Sequence, residues 1–223
     1  MAPGTNLGRE SRLASNADVV CDLSPVELYV LLHLKRAGVD YAGSMTKVSG
    51  VPIPEIEEAL DRLESRGLVQ RRVGGSSIKR SEARFKLSNE VRKHHTYFEL
   101  TQRGESLVRL LTREPALLSR YFETIAGHPR ALDVLLFLDR VKNEHAGILA
   151  RVLGDTPCHT TEVMEGLVRA GLVIKVKEKV LKSWERKAKP KAETRTHHTY
   201  YSLSRLGSLI IRFSGLRRAG PRP

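Results

Sequence analysis

The chain has 223 residues, 40% of them hydrophobic, which suits ordinary buried cores and one or two domains. It contains no run of about 18 apolar residues and no basic-then-apolar leader, so no membrane span or secretory signal is expected and a cytoplasmic setting is. Its formal charge of +13 and pI near 10.0 call for a polyanion, with nucleic acid the first partner to consider and an acidic membrane surface the second.

Residues 1–18 lack periodicity and read as a mobile N-terminal tail. Ser24-Pro25 has the form of an N-cap followed by proline at the first helical position. Val26, Leu28, Val30, Leu31 and Leu34 then continue as an apolar face up to Gly38. "AGSMTKVSG" reads as a short second helix ended by Gly50. Pro54 opens a third, with Ile56, Ala59, Leu60 and Leu63 at helical spacing before Gly67. "LVQRRV" alternates as a strand, "GGSS" is a turn, and "HTYFEL" returns as a strand before the helix of "RGESLVRLL". "EPALLSRYFETIAGH" is expected to be a connecting helix.

The same order then recurs. A helix from Pro129 through Val141, a short helix ending at Gly154, and a third from roughly Thr160 to Ala170 precede the alternating "LVIKVKEKVL", a long basic tip and the returning "HTYYSL". Shifting the sequence by 104 places Gly50 on Gly154, Leu63 on Leu167 and Gly67 on Gly171. A shift of 103 places His94 to Tyr97 on His197 to Tyr200 and Gly104 on Gly207. One deletion between Val69 and His94 accounts for the slip. Two copies indicate a duplicated domain rather than a solenoid.

"EALDRLESRGLV" with "YFELTQRGESLVRLL", and their duplicates "EVMEGLVRAGLV" with "YYSLSRLGSLIIRF", resemble archaeal winged-helix proteins of the MarR-like and PadR-like group over residues 19–113 and 129–213. The resemblance implies an α+β, mainly α fold made of two tandem winged-helix domains. They span 19–113 and 129–214, with a helical connector at 114–128 and a basic C-terminal tail at 215–223. It further implies that the third helix of a domain enters the major groove while the wing touches the flanking backbone.

Charge complicates that picture. The first third helix carries Glu55, Glu57, Glu58, Asp61 and Glu64 against Arg62 and Arg66, and its counterpart offers Glu162 and Glu165 against Arg169, a surface that phosphates repel. The wings carry the opposite charge. The expected nucleic-acid contacts in the first are Arg71, Arg72, Lys79, Arg80, Arg84 and Lys86. In the second they are Lys175, Lys177, Lys179, Lys182, Arg186, Lys187, Lys189, Lys191 and Arg195, with Lys175, Lys177 and Lys179 on one strand face and Ile174, Val176 and Val180 on the other. A solvated charge run on a long hairpin is the bland alternative. Trp184 near the tip is either a stacking or groove-inserted side chain or an anchor at the hairpin base.

The His-His-Thr-Tyr segment begins the returning strand in both copies. Its first duty is structural, with tyrosine at the core edge. His95 and His198 are also placed for phosphate at the wing base, and the four histidines of the two segments for zinc about a pseudo-twofold axis, the least favoured option. Cys21 and Cys158 exclude a disulfide framework and a paired-cysteine zinc site, and read as buried or half-buried thiols. The adjacency of Cys158 and His159 is taken as coincidence. With no phosphate-binding loop, nucleophile elbow or zincin motif, we expect no enzyme, no cofactor and no bound metal. Arginine outnumbers lysine 25 to 13 and glutamine occurs only as Gln70 and Gln102, a bias compatible with a thermophilic source or a GC-rich genome.

Two functions fit. The first is a duplex-DNA-binding transcriptional regulator or chromatin-associated factor held by its two wings, a monomer with internal pseudo-symmetry among its possible states. The second is an RNA- or ribosome-associated factor, or an adaptor whose acidic third helices hold a basic protein partner.

Overall fold

The structure, a computed structural model, describes residues 18–72, 95–176 and 199–216. The helical turn at 18–21 leads into α1 (Pro25–Ala37), whose first turn is closed by a reciprocal cap. The Ser24 hydroxyl accepts from Glu27 N–H at 3.2 Å while the Glu27 carboxylate accepts from Ser24 N–H at 2.7 Å. β1 (Val39–Asp40), α2 (Ala42–Ser49), α3 (Ile53–Ser65), β2 (Val69–Arg71), β3 (Phe98–Leu100) and α4 (Gln102–Arg113) complete the first repeat. After α5 (Pro115–Ala126), the second repeat runs α6 (Ala131–Val141), β4 (Asn143–His145), α7 (Ala146–Leu153), α8 (Pro157–Arg169), β5 (Val173–Val176), β6 (Tyr200–Leu203) and α9 (Arg205–Phe213). Each repeat holds a three-stranded antiparallel sheet in the same order, β1-β3-β2 and β4-β6-β5. Among the described residues the molecule is therefore mainly helical, with two small sheets and two tandem repeats.

The echo that betrays the repeat has a physical cause. Thr101 and Ser204 each cap the helix that follows, accepting from Gly104 N–H at 3.1 Å and Gly207 N–H at 2.9 Å. Each also donates its hydroxyl to a glycine carbonyl, Gly67 or Gly171, at 2.7 Å. This brings the first turn of α4 and α9 onto the chain leaving the third helix. A Cβ on Gly104 would lie 2.0 Å from the Leu68 carbonyl oxygen, and one on Gly207 would lie 2.2 Å from that of Leu172. Only glycine fits there.

Leu63 and Leu167 occupy equivalent positions and are fully buried, each contributing about 2 kcal/mol of burial. The two repeats also share one core. The Phe213 ring of α9 stacks on Tyr29 of α1 at 6.4 Å between centroids, and the Arg36 guanidinium lies 4.8 Å over it. Arg205 Nη2 donates to the Lys47 carbonyl at 2.8 Å. α5 lies mainly along α6 and α8, with Leu118, Tyr121 and Phe122 fully buried. A Cβ on Gly166 of α8 would come within 2.6 Å of the Ala126 carbonyl oxygen.

Several local expectations need correction. α8 starts at Pro157 rather than near Thr160, because Thr156 is its N-cap, accepting from His159 N–H, and proline follows at the first helical position. α6 starts at Ala131 rather than Pro129, which lies in the preceding turn. Ile174 is 50% exposed, so the outer strand of the second sheet reaches the core only through Val173. Cys158 is exposed rather than buried; Cys21 is half-buried.

Candidate nucleic-acid interface

The face where the third helix meets the outgoing strand is built alike in both repeats. β2 pairs with β3 so that Arg71 lies opposite Phe98, and β5 pairs with β6 so that Lys175 lies opposite Tyr201. In the first repeat Arg71 turns back onto α3. Its Nη2 donates to Asp61 at 3.0 Å and its Nε to Glu64 at 2.9 Å, with its guanidinium 5.8 Å over the Phe98 ring. In the second repeat Lys175 Nζ lies 2.8 Å from Glu165 of α8, and the Tyr201 hydroxyl donates to the same carboxylate oxygen at 2.8 Å. The Lys175 bond is the main reason the Glu165 carboxyl is held below the usual carboxylate range, and Tyr201 adds to it. Burial, and then the bond to Glu165, push the Tyr201 phenol up to about 12.

These pairs alter the expectation for two residues assigned to nucleic acid. Arg71 and Lys175 first serve to tie a strand to an acidic helix. Arg72 lies 3.3 Å from Glu99 through Nη1. His95 is exposed, and its ring stacks on Tyr41 at 4.2 Å, so its surroundings are aromatic. Tyr97 is half-buried, whereas its counterpart Tyr200 is buried and fills the core edge. Lys79, Arg80, Arg84, Lys86, Lys177, Lys179, Lys182, Trp184, Arg186, Lys187, Lys189, Lys191, Arg195 and His198 lie outside the described residues.

Sequence reasoning missed Asp61, Glu64, Glu165 and Tyr201 as partners of the basic strands. A signal was present: the 104-residue shift that aligns Leu63 with Leu167 also puts Asp61 on Glu165 and Arg71 on Lys175, preserving an acid and a base together. It also changes the reading of α3 as a bare acidic surface. Arg62 Nη1 holds Glu58 at 2.6 Å and Arg71 holds Asp61 and Glu64. Among the described residues Glu55 and Glu57 alone on that helix are left without an ion pair. Between α2, α3 and the strands lies a cleft of about 440 Å³ whose walls include Tyr41, Ile53, Glu57, Asp61 and His95.

One group has the residue types of a metal site. His128, Asp155 and His159 bring their ligand atoms within 4.8 Å of one another. His128 Nδ1, however, accepts from the Arg130 backbone N–H at 3.1 Å, so the neutral ring carries its proton on Nε2, the nitrogen that lies 3.8 Å from Asp155. A metal-bound histidine has the reverse arrangement, with its outer nitrogen donating. Asp155 is itself committed to the α8 cap. Its bond from Thr156 N–H at 2.7 Å is the main reason its carboxyl lies below the usual range. The donor set fits a helix-start network rather than a cation. Cys158 turns toward Glu162 and His159 toward Asp155, so these neighbours diverge.

Comparison with protein-family models matches residues 20–111 and 122–214 to one family, described as an uncharacterized protein conserved in archaea (DUF2250). The chain belongs to this archaeal family, as two tandem copies of its unit. No curated protein and no solved structure matched the chain. The second match begins inside α5, and the helical turn at 18–21 stands at the same place in the first unit, since a 104-residue shift carries Asp18 onto Phe122.

Proposed function

We propose that each DUF2250 unit here is a winged helix and that the protein binds nucleic acid, duplex DNA ahead of RNA, as a cytoplasmic transcriptional regulator or chromatin-associated factor. The observation that carries this reading is the placement of positive charge. Residues 73–94, between β2 and β3, hold six lysines and arginines against two carboxylates, and residues 177–198, between β5 and β6, hold eight against three. Each segment follows a strand, β2 or β5, that is tied to the third helix of its repeat. Positive charge of this density supplies the sequence-independent phosphate attraction that dominates nucleic-acid affinity.

The test is binding of labelled duplex DNA, single-stranded DNA and structured RNA by fluorescence anisotropy at several salt concentrations. Affinity should fall steeply with salt, log Kd rising by about 0.9 per tenfold increase in salt for each phosphate neutralised on duplex. Replacing Lys177 and Lys179 by glutamine should weaken binding and flatten that slope. Salt-independent or undetectable binding to all three nucleic acids would reject this function. Preference for RNA, or co-purification with ribosomes that depends on Glu55 and Glu57, would favour the ribosome-associated or adaptor reading, which the two unpaired carboxylates of α3 support.

A further inference from the structure

Beside the third helices and in the sheets, acids already hold several of the described cations. Arg62 meets Glu58, Arg71 meets Asp61 and Glu64, Arg72 meets Glu99, and Lys175 meets Glu165. The seam where α9 of the second repeat packs on α1 and α2 of the first is built differently. α9, α2 and the part of α1 after Glu27 carry no acidic side chain. They present Arg36, Lys47, Arg205 and Arg212, all exposed.

These four side chains are positioned without their charge being neutralised. The Arg36 guanidinium lies 4.8 Å, and that of Arg212 5.0 Å, from the centroid of the Phe213 ring. A cation over a ring consumes no N–H group, so the donors of both stay open to an acceptor. Two like charges against one ring also repel each other, and an anion that both can reach relieves that repulsion. Arg205 stands about two turns before Arg212, on the same side of α9. It gives one Nη to the Lys47 carbonyl at 2.8 Å, which sets Lys47 beside it. The neighbouring acids are engaged elsewhere, Glu105 with Lys35 and the buried Asp40 with His33 and Ser44. Asp133 and Asp139 of α6, which also packs on α9, form no ion pair with any of the four. Beyond α9 the sequence adds Arg217, Arg218 and Arg222 and no acid.

We propose that this seam docks the sugar-phosphate backbone of duplex DNA, Arg36 and Arg212 taking one phosphate and Arg205 with Lys47 another along α9. The inference rests on the nucleic-acid reading above. It adds to the basic segments a contact that neither repeat makes alone, since Arg205 and Arg212 come from the second repeat and Arg36 and Lys47 from the first. Such a stripe positions the duplex and does not read its sequence. A lipid surface fits less well, because peripheral membrane binding also takes an apolar anchor, and the large apolar side chains exposed among the described residues, Ile53, Val152 and Ile174, lie on α3, α7 and β5.

The experiment measures binding of a labelled duplex of arbitrary sequence to the full chain by fluorescence anisotropy at several salt concentrations. Arg36→Gln with Arg212→Gln should weaken binding at least fivefold at low salt and lower the slope of log Kd against log salt by about 1 to 2. Arg120→Gln with Arg151→Gln removes the same charge from exposed positions on α5 and α7, and should stay within twofold of the parent. Arg36→Lys with Arg212→Lys keeps the charge and should stay within threefold. If the parent binds duplex with a steep salt response but the seam pair loses no more than the control pair, the seam is not the docking surface and the nucleic-acid reading survives. A loss as large in the lysine pair as in the glutamine pair, with a lowered melting temperature in both, would show that the arginines only support the joint and would overturn the proposal. Binding of the parent to phosphatidylserine vesicles but not to duplex would put a membrane on this surface, and the proposal would then fail together with the nucleic-acid reading.

Discussion

The two repeats agree where they are buried and differ where they are exposed. Leu63 and Leu167, the capped glycines Gly104 and Gly207, and the paired Asp61–Arg71 and Glu165–Lys175 recur in register. Glu55 and Glu57 against His159 and Thr161 do not. The buried set is fixed by packing density, since a change of one methylene in a filled core is felt at once. The exposed set is free of that constraint, so divergence between copies inside one chain marks where the two units are able to differ, without any other sequence.

The largest effects should come from breaking what the repeats share. Leu63→Ala and Leu167→Ala should each cost about 2–5 kcal/mol, the range for a fully buried leucine. Because α9 packs on α1 through Phe213 and Tyr29, both variants should lower one common melting transition measured by calorimetry. Two separated transitions, each moved by one substitution only, would show that the repeats fold independently.

A smaller effect is expected at the shared glycines. Gly104→Ala and Gly207→Ala each force a Cβ into a carbonyl oxygen, and should cost about 1–3 kcal/mol by displacing the helix start. Gly166→Ala should do likewise through Ala126, while the equivalent position of the first repeat already carries Arg62. A neutral Gly166→Ala would mean that α5 does not seat against α8 as described.

The smallest effect concerns the tie between Glu165 and Lys175. The Glu165 carboxyl is depressed in the folded protein, so its contribution to stability is present above the unfolded glutamate range and is lost as pH falls through the lower folded value. The group is partly exposed, so the gain at neutral pH should stay within about 1 kcal/mol. Glu165→Gln should remove that part of the acid-side slope in denaturant melts taken across the acid range. An unchanged slope would show that Lys175 does not hold the carboxylate in solution.

Much of the fold was legible because its signals are local. The Ser24 cap, the glycines that end α2, α3, α7 and α8, and the apolar stripe through Leu60 and Leu63 depend only on residues within a turn or two. The pairing of the outgoing strand with the third helix was not, since Arg71 meets Asp61 and Glu64 only after β2 has folded back beside α3. Nor was the orientation of Lys175. Alternation showed that Lys175 and Ile174 take opposite faces, but not that the lysine face is the one turned toward α8. The start of α8 was read too late, although Thr156 and Pro157 repeat the cap-then-proline signal that opens α1.

By itself the sequence determined that one unit occurs twice, which helices and which two of the three strands of each sheet it contains, and where the positive charge gathers, because composition, spacing and duplication need no third dimension; the short β1 and β4 carry no such signal. Only the tertiary structure decided that the two units share a core through α9, that Glu58, Asp61 and Glu64 of α3 are paired with Arg62 and Arg71, and that His128 Nδ1 accepts from the Arg130 backbone N–H in the turn before α6. Each of these turns on distances of a few ångströms that only the folded chain fixes, and Coulomb and hydrogen-bond energies weaken steeply over that range.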